Sequence, residues 1–76
     1  MIVQINGHSY QMDNDSFKKM VSQIKKSIPK KPTLIAVEKD GYAEMRNDVY
    51  KTQKDLTNAV VKWNKKGYKT KYIRGI

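Results

Sequence analysis

Residues 1–12 read MIVQINGHSYQM, and this stretch predicts a β-hairpin. Asn6-Gly7 separates two alternating runs, and Asn-Gly favours a two-residue turn because both residues tolerate positive φ. The turn pairs Ile5 with His8, Val3 with Tyr10 and Met1 with Met12 on one face, and Ile2 with Gln11 and Gln4 with Ser9 on the other. Apolar side chains therefore gather on one face, as a half-buried hairpin requires.

The next stretch predicts an amphipathic helix near residues 16–28. Asp13-Asn14-Asp15-Ser16 offers several N-cap side chains and places negative charge where the helix dipole favours it. Apolar residues follow at the spacing of one helix face, namely Phe17, Met20, Val21, Ile24 and Ile28. The other side carries Lys18, Lys19, Lys25 and Lys26. Pro29 and Pro32 end the helix.

A second hairpin is predicted around Asp40-Gly41. The apolar, partly β-branched run of residues 33–37 indicates its first strand. A two-residue turn would place Val37 opposite Glu44 and so mix the two faces. A three-residue loop, Lys39-Asp40-Gly41 with a glycine bulge, keeps apolar residues opposite one another, and we expect this loop.

The C-terminal third predicts a helix near residues 53–66 and a closing strand near residues 68–74. Thr52 and Asp55 resemble a capping box, and Gly67 stands where a C-terminal glycine cap belongs. The apolar stripe of this helix consists of Leu56, Ala59, Val60 and Trp63. An alternating strand follows the glycine.

These elements predict a small single α+β domain spanning residues 1–76, in the order ββαββαβ. We expect one mainly antiparallel sheet with both helices packed on one face, since that arrangement buries both apolar stripes. The expected core consists of Phe17, Met20, Val21, Ile24, Ile35, Val37, Leu56, Val60 and Trp63.

The charge is unevenly distributed. The 76 residues carry a formal net charge of +9. Residues 1–50 hold eight basic and six acidic side chains, whereas residues 51–76 hold eight basic side chains and one acidic side chain, Asp55. Such asymmetry indicates an anionic partner.

No catalytic, metal-binding or cofactor-binding motif is found in the sequence, so we expect a binding protein rather than an enzyme. His8 is the only histidine, cysteine is absent, and no glycine-rich phosphate loop occurs. Asp13 and Asp15 lack the further ligands of a calcium loop, and helix capping explains both. The absence of cysteine, of a signal peptide and of a long apolar run favours a cytoplasmic protein without membrane contact. A chain of 76 residues is too short to build a core and also line a deep cavity, so we expect no small-molecule substrate.

The candidate site is a cluster of cations and aromatic residues near the C-terminus. Its predicted members are Lys62, Lys65, Lys66, Lys69, Lys71 and Arg74, with Tyr68 and Tyr72 between them. Cations neutralise phosphates and exposed aromatic rings stack on bases. The alternative is that Tyr68 and Tyr72 share one strand face and pack inward, while the lysines maintain solubility or protect an edge strand.

The first hypothesis is a sequence-nonspecific nucleic-acid-binding accessory protein, with DNA or RNA as partner. Fourteen lysines stand against two arginines, and arginine is the residue that reads guanine bidentately, so we expect little sequence preference. The second hypothesis is a modulator or inhibitor that binds an acidic surface of another protein. The small size and lysine-rich composition are typical of bacterial or phage accessory proteins.

Overall fold

The computed structural model describes residues 1–74 of the chain. The order ββαββαβ is confirmed. The elements are β1 (Ile2–Ile5), β2 (His8–Gln11), α1 (Asn14–Ser27), β3 (Thr33–Lys39), β4 (Tyr42–Val49), α2 (Gln53–Lys65) and β5 (Lys69–Arg74). The first helix begins two residues earlier than predicted, because the side chain of Asp13 accepts a hydrogen bond from the backbone N–H of Ser16 and so caps it.

The five strands form one mixed sheet in the order β2-β1-β4-β3-β5. Only β1 and β4 pair in parallel; the other three pairs are antiparallel. The α+β class and the mainly antiparallel sheet are therefore confirmed. Both edges of the sheet are formed by short strands, β2 at one side and β5 at the other.

The first hairpin has the predicted turn and register. Asn6 and Gly7 have φ values of 51° and 82°, as a type I′ turn requires. Ile5 pairs with His8 and Val3 with Tyr10. Beyond the hairpin strands, the terminal amine of Met1 donates to the carbonyl of Met12 at 2.8 Å.

The second hairpin has a two-residue turn, so the predicted three-residue loop is wrong. Asp40 and Gly41 both have positive φ, and Val37 pairs with Glu44. The prediction assumed one dry face and one wet face. Since β3 is covered on both faces, Val37 needs no apolar partner on β4. The Glu44 carboxylate stays partly exposed and forms an ion pair with Arg46 at 3.3 Å.

The two helices pack on opposite faces of the sheet, and the prediction of one shared face is wrong. The buried cluster against α1 contains Val3, Phe17, Val21, Ile35, Ala36, Ala43 and Tyr72. The cluster against α2 contains Leu34, Val37 and Leu56. Leu34 and Ile35 are adjacent in β3 yet belong to different clusters, and successive side chains of a strand point to opposite faces. The strand β3 is therefore the central layer between two helices.

Register shifts on β3 adjust its side chains to this double burial. Its pairing with both neighbouring strands shifts between Leu34 and Ala36. Residues two apart in a regular strand share a face, but Leu34 and Ala36 lie in different clusters. The irregularity therefore lets β3 supply apolar side chains to both helices.

The core differs from the predicted one mainly in the sheet. Phe17, Val21, Ile35, Val37 and Leu56 are buried as expected. Four predicted core residues, Met20, Ile24, Val60 and Trp63, are only half-buried. The structure adds buried strand residues that the prediction left out, namely Val3, Leu34, Ala36, Ala43 and Tyr72.

Candidate nucleic-acid interface

The predicted cationic patch is divided between the two faces of the sheet. Lys62, Lys65 and Lys66 belong to the end of α2, on the face that carries Leu56. Lys71 lines a groove beside α1 on the opposite face. Arg74 also turns to α1, since its Nη1 donates to the carbonyl of Lys25 at 2.7 Å. Lys69 is exposed on the edge strand β5.

Tyr72 is part of the core and not a free stacking surface. It is 9% exposed, and its ring meets the Phe17 ring edge-on with centroids 4.9 Å apart. The hydroxyl donates to Oε1 of Glu38 at 3.4 Å. Burial raises the pKa of the Tyr72 phenol, and the negative charge of Glu38 and this hydrogen bond act in the same direction.

Tyr68 lies on the other face of the sheet from Tyr72, so the expectation that they share a strand face is wrong. The pairing of β3 with β5 shifts between Ala36 and Glu38, which changes the side-chain alternation along β5. The Tyr68 ring packs edge-on against Trp63, with centroids 5.0 Å apart.

A C-terminal cap of α2 fixes the position of Tyr68. The N–H of Gly67, at φ 90°, bonds the carbonyl of Asn64, and the N–H of Tyr68 bonds the carbonyl of Trp63. These two bonds and the ring contact form a Schellman motif with its hydrophobic contact. Tyr68 therefore stabilises the C-terminal end of α2. Lys39 Nζ covers the Tyr68 ring at 5.5 Å from its centroid.

An open groove of about 370 Å³ runs between α1 and β5. The residues that line it are Lys18, Val21, Ser22, Lys25, Lys71, Tyr72 and Ile73. Lys18, Ser22 and Lys25 follow the i, i+4, i+7 spacing, so they share one side of α1. Three lysines from two elements thus line one groove, and no carboxylate is among the lining residues.

Lys18 and Lys25 are not among the predicted site residues, because the periodicity of α1 assigns them to its polar side. Their seven-residue spacing indicates a shared helix side. The neighbouring element, however, is β5, about fifty positions further along the chain. Only the topology brings these lysines beside Lys71.

A second groove, of about 460 Å³ between α2 and β4, has mixed charge. Arg46, Lys62 and Lys66 line it together with Asp48 and Asp55. The Arg46 guanidinium donates to Asp48 at 3.0 Å, and this hydrogen bond raises the pKa of Arg46. Arg46 is already paired with carboxylates, and two carboxylates line this groove, so it presents less unopposed positive charge than the groove beside α1.

Trp63 lies beneath cations of this second groove. Arg46 Cζ and Lys66 Nζ stand 5.2 and 5.0 Å from the centroid of the Trp63 ring. Cations at this distance are attracted to the face of an indole. The Trp63 ring is therefore covered by the chain's own side chains.

Within residues 1–74, no group of three or more His, Asp or Glu side chains is placed to hold a metal ion. His8 is exposed on β2. Neither helix described is long and apolar enough to cross a membrane.

Comparison of the chain with protein-family models, with curated protein sequences and with solved structures finds no match.

Proposed function

We propose that this chain is a cytoplasmic accessory protein that binds the phosphate backbone of nucleic acid without sequence preference, through the groove between α1 and β5. The observation that carries the proposal is the meeting of Lys18, Lys25 and Lys71 around one groove with no carboxylate in its lining. This site keeps Lys71 from the sequence prediction, with Arg74 beside it, and replaces the lysines of α2 by those of α1.

Counterion release supplies the driving force. A phosphate backbone holds condensed cations, and each lysine that neutralises a phosphate releases one of them. The slope of log K against log salt is then about −0.7 to −0.9 for each phosphate neutralised. Ammonium groups act as point charges and do not read base edges bidentately, so the lysine-dominated groove supports binding that is indifferent to sequence.

Two charge-matched triple variants test the location of the site. Lys18→Gln, Lys25→Gln and Lys71→Gln remove three charges from the groove, while Lys62→Gln, Lys65→Gln and Lys66→Gln remove three from the end of α2. Glutamine keeps helix propensity close to that of lysine. Affinity for random-sequence DNA and RNA is measured by fluorescence anisotropy over a series of salt concentrations, with circular dichroism to confirm folding.

The groove variant is expected to flatten the salt slope by about two to three units, and the α2 variant by clearly less. If the two variants flatten the salt slope equally, binding depends on overall charge and not on the groove. If the wild-type chain binds neither DNA nor RNA at micromolar concentration and about 50 mM salt, where phosphate contacts are strong, the nucleic-acid function is wrong.

A second candidate function is binding to an acidic segment of another protein. The observation in its favour is that β5 is an edge strand with exposed Lys69 and Lys71 beside its open side. Edge strands accept extended peptides by strand addition, and lysines favour an acidic one. Binding of a fluorescent Glu-rich peptide, together with no binding of oligonucleotides, would support this function. Peptide binding with the affinity of a scrambled neutral control would argue against it.

A further inference from the structure

The two edges of the sheet differ in charge. The edge strand β5 carries Lys69 and Lys71, and lysines on an edge strand discourage its pairing with another chain. The edge strand β2 reads HSYQ, and all four of its residues are exposed. Residues 1–12, which contain β1, the turn and β2, include no Lys, Arg, Asp or Glu, although the whole chain carries a formal net charge of +9. The β2 edge therefore lacks the charges that protect the β5 edge.

The backbone of β2 presents free hydrogen-bonding groups along this edge. Within residues 1–74, β1 is the only strand beside β2. Met1 and Met12 exchange two hydrogen bonds, from the terminal amine to the Met12 carbonyl and from the Met12 N–H to the Met1 carbonyl. Bonded and non-bonded pairs alternate along an antiparallel ladder, so Tyr10 also bonds to β1. Ser9 and Gln11 therefore turn their N–H and C=O groups outward.

A second copy of the chain fits this edge when the two β2 strands run antiparallel about a two-fold axis at Tyr10. Ser9 of each copy then lies opposite Gln11 of the other, and the two residues exchange both of their outward hydrogen bonds. Tyr10 lies opposite Tyr10 of the second copy as a non-bonded pair, in which side chains approach most closely. The same residues of both copies make the contact, as a two-fold interface requires.

Charge and exposure both favour a second copy at β2. Two copies of a chain with a net charge of +9 repel each other, and the repulsion is smallest where neutral segments meet. Tyr10 is 50% exposed in the single chain, and contact with Tyr10 of the second copy removes apolar ring surface from water.

We infer that the chain forms a symmetric homodimer by antiparallel pairing of its β2 strands, centred on Tyr10, which joins the two five-stranded sheets into one. Because β2 spans only four residues, the contact is small, and the dissociation constant is expected between about 10 μM and 1 mM. The inference does not depend on the proposed function, since the groove between α1 and β5 lies away from β2.

Sedimentation equilibrium of the wild-type chain at concentrations from about 10 μM to 1 mM measures the association directly. Salt is expected to strengthen the dimer, because it screens the repulsion between two positive copies, whereas it weakens phosphate binding. A chain that stays monomeric at about 1 mM, or that assembles beyond the dimer, overturns the inference.

Two tyrosine variants of equal charge test the location of the interface. Tyr10→Lys places like charges opposite each other at the two-fold axis, and Tyr42→Lys adds the same charge on β4, where Tyr42 is 44% exposed. Tyr42 pairs with Ile2 and Tyr10 with Val3, so the two tyrosines lie on opposite faces of the sheet. Tyr10→Lys is expected to weaken dimerisation by about tenfold or more, and Tyr42→Lys by less than about twofold. Equal weakening by the two folded variants overturns the inference.

Cross-linking tests the register. The chain contains no cysteine, so Tyr10→Cys supplies one thiol to each copy. Cα atoms of a non-bonded antiparallel pair lie about 4.5 Å apart, within the range that a disulfide spans. Under mild oxidation Tyr10→Cys is expected to form a covalent dimer about tenfold faster than Tyr42→Cys, whose thiols lie apart in the dimer. Equal rates of cross-linking overturn the inference.

Discussion

The packing of α1 and α2 on opposite faces of β3 predicts that their core residues act independently. Phe17 is 1% exposed in the cluster under α1, and Leu56 is fully buried in the cluster under α2. Residues that share no packing partners contribute additively to stability, whereas residues in one core are coupled. A double-mutant cycle of Phe17→Leu and Leu56→Val is therefore expected to show no coupling.

The size of each change can be worked from burial. Leu56→Val removes one buried methylene, which costs about 1 kcal/mol. Phe17→Leu removes part of a buried ring and its edge-on contact with Tyr72, which costs about 1–2 kcal/mol. Domains have about 0.05–0.15 kcal/mol of stability per residue, which gives about 4–11 kcal/mol for this chain. The double variant, weakened by about 2–3 kcal/mol if the changes add, stays folded and measurable.

Urea denaturation of the wild type, both single variants and the double variant gives the coupling energy. The matched positive control pairs Phe17→Leu with Tyr72→Leu, whose rings lie 4.9 Å apart, so that cycle should show coupling of about 0.5–1.5 kcal/mol. Coupling above about 0.5 kcal/mol between Phe17 and Leu56, as large as in the control, would refute packing on opposite faces.

Three further changes have definite expected outcomes. Gly7→Val should cost about 1–2 kcal/mol in thermal melts, because φ is 82° there; a melting point equal to that of Gly7→Asn would contradict the turn. Thr52→Ala should cost about 1 kcal/mol, since Thr52 caps α2 by accepting from the N–H of Asp55 at 3.2 Å, and Thr52→Ser should restore most of it. Burial raises the pKa of Tyr72, so folding favours the neutral phenol; stability is full below pH about 10 and falls as the pH rises through the raised pKa. Tyr72→Phe should lessen this loss of stability at alkaline pH, and a loss as large as that of the wild type would argue against a role of the Tyr72 phenol.

Local features of the fold could be predicted from the sequence because neighbouring residues determine them. The Asn6-Gly7 turn requires positive φ at two adjacent positions, and the residues nearby alternate. The N-caps at Asp13 and Thr52 likewise depend on side chains only three residues from their partners. These elements are correct to within about two residues.

The second hairpin could not be predicted from the residues near its turn. The preference for a three-residue loop came from requiring Val37 to face an apolar residue on β4. That requirement does not hold for a strand covered on both faces, where Val37 is buried under α2 and Glu44 beside it stays partly exposed. The continuous apolar run of residues 33–37 is typical of a strand buried on both sides, and it was the available signal.

The site depends on the same topology. The predicted patch joins the lysines of β5 to those of α2 because the two elements are adjacent in the chain. In the structure, Lys71 lines the groove beside α1, and Arg74 donates a hydrogen bond to the carbonyl of Lys25 in α1. No local pattern distinguishes these arrangements, because the lysine side chains of α1 and α2 both occupy polar helix faces.

The strand order explains why the two helices lie on opposite faces of the sheet. The connections β2–α1–β3 and β4–α2–β5 each join parallel strands and run in the same direction across the sheet, yet β2 and β4 are antiparallel to each other. Since such crossovers are right-handed, two that travel the same way from oppositely directed strands must place their helices on opposite faces. The order β2-β1-β4-β3-β5 therefore suffices to separate α1 from α2. Because β5 lies at the edge of the sheet, this strand is next to both helices. Side chains of β5 therefore reach both helices: Tyr72 packs under α1 and Ile73 packs against the cluster under α2. Lys71 and Arg74 lie beside α1 and apart from the lysines of α2.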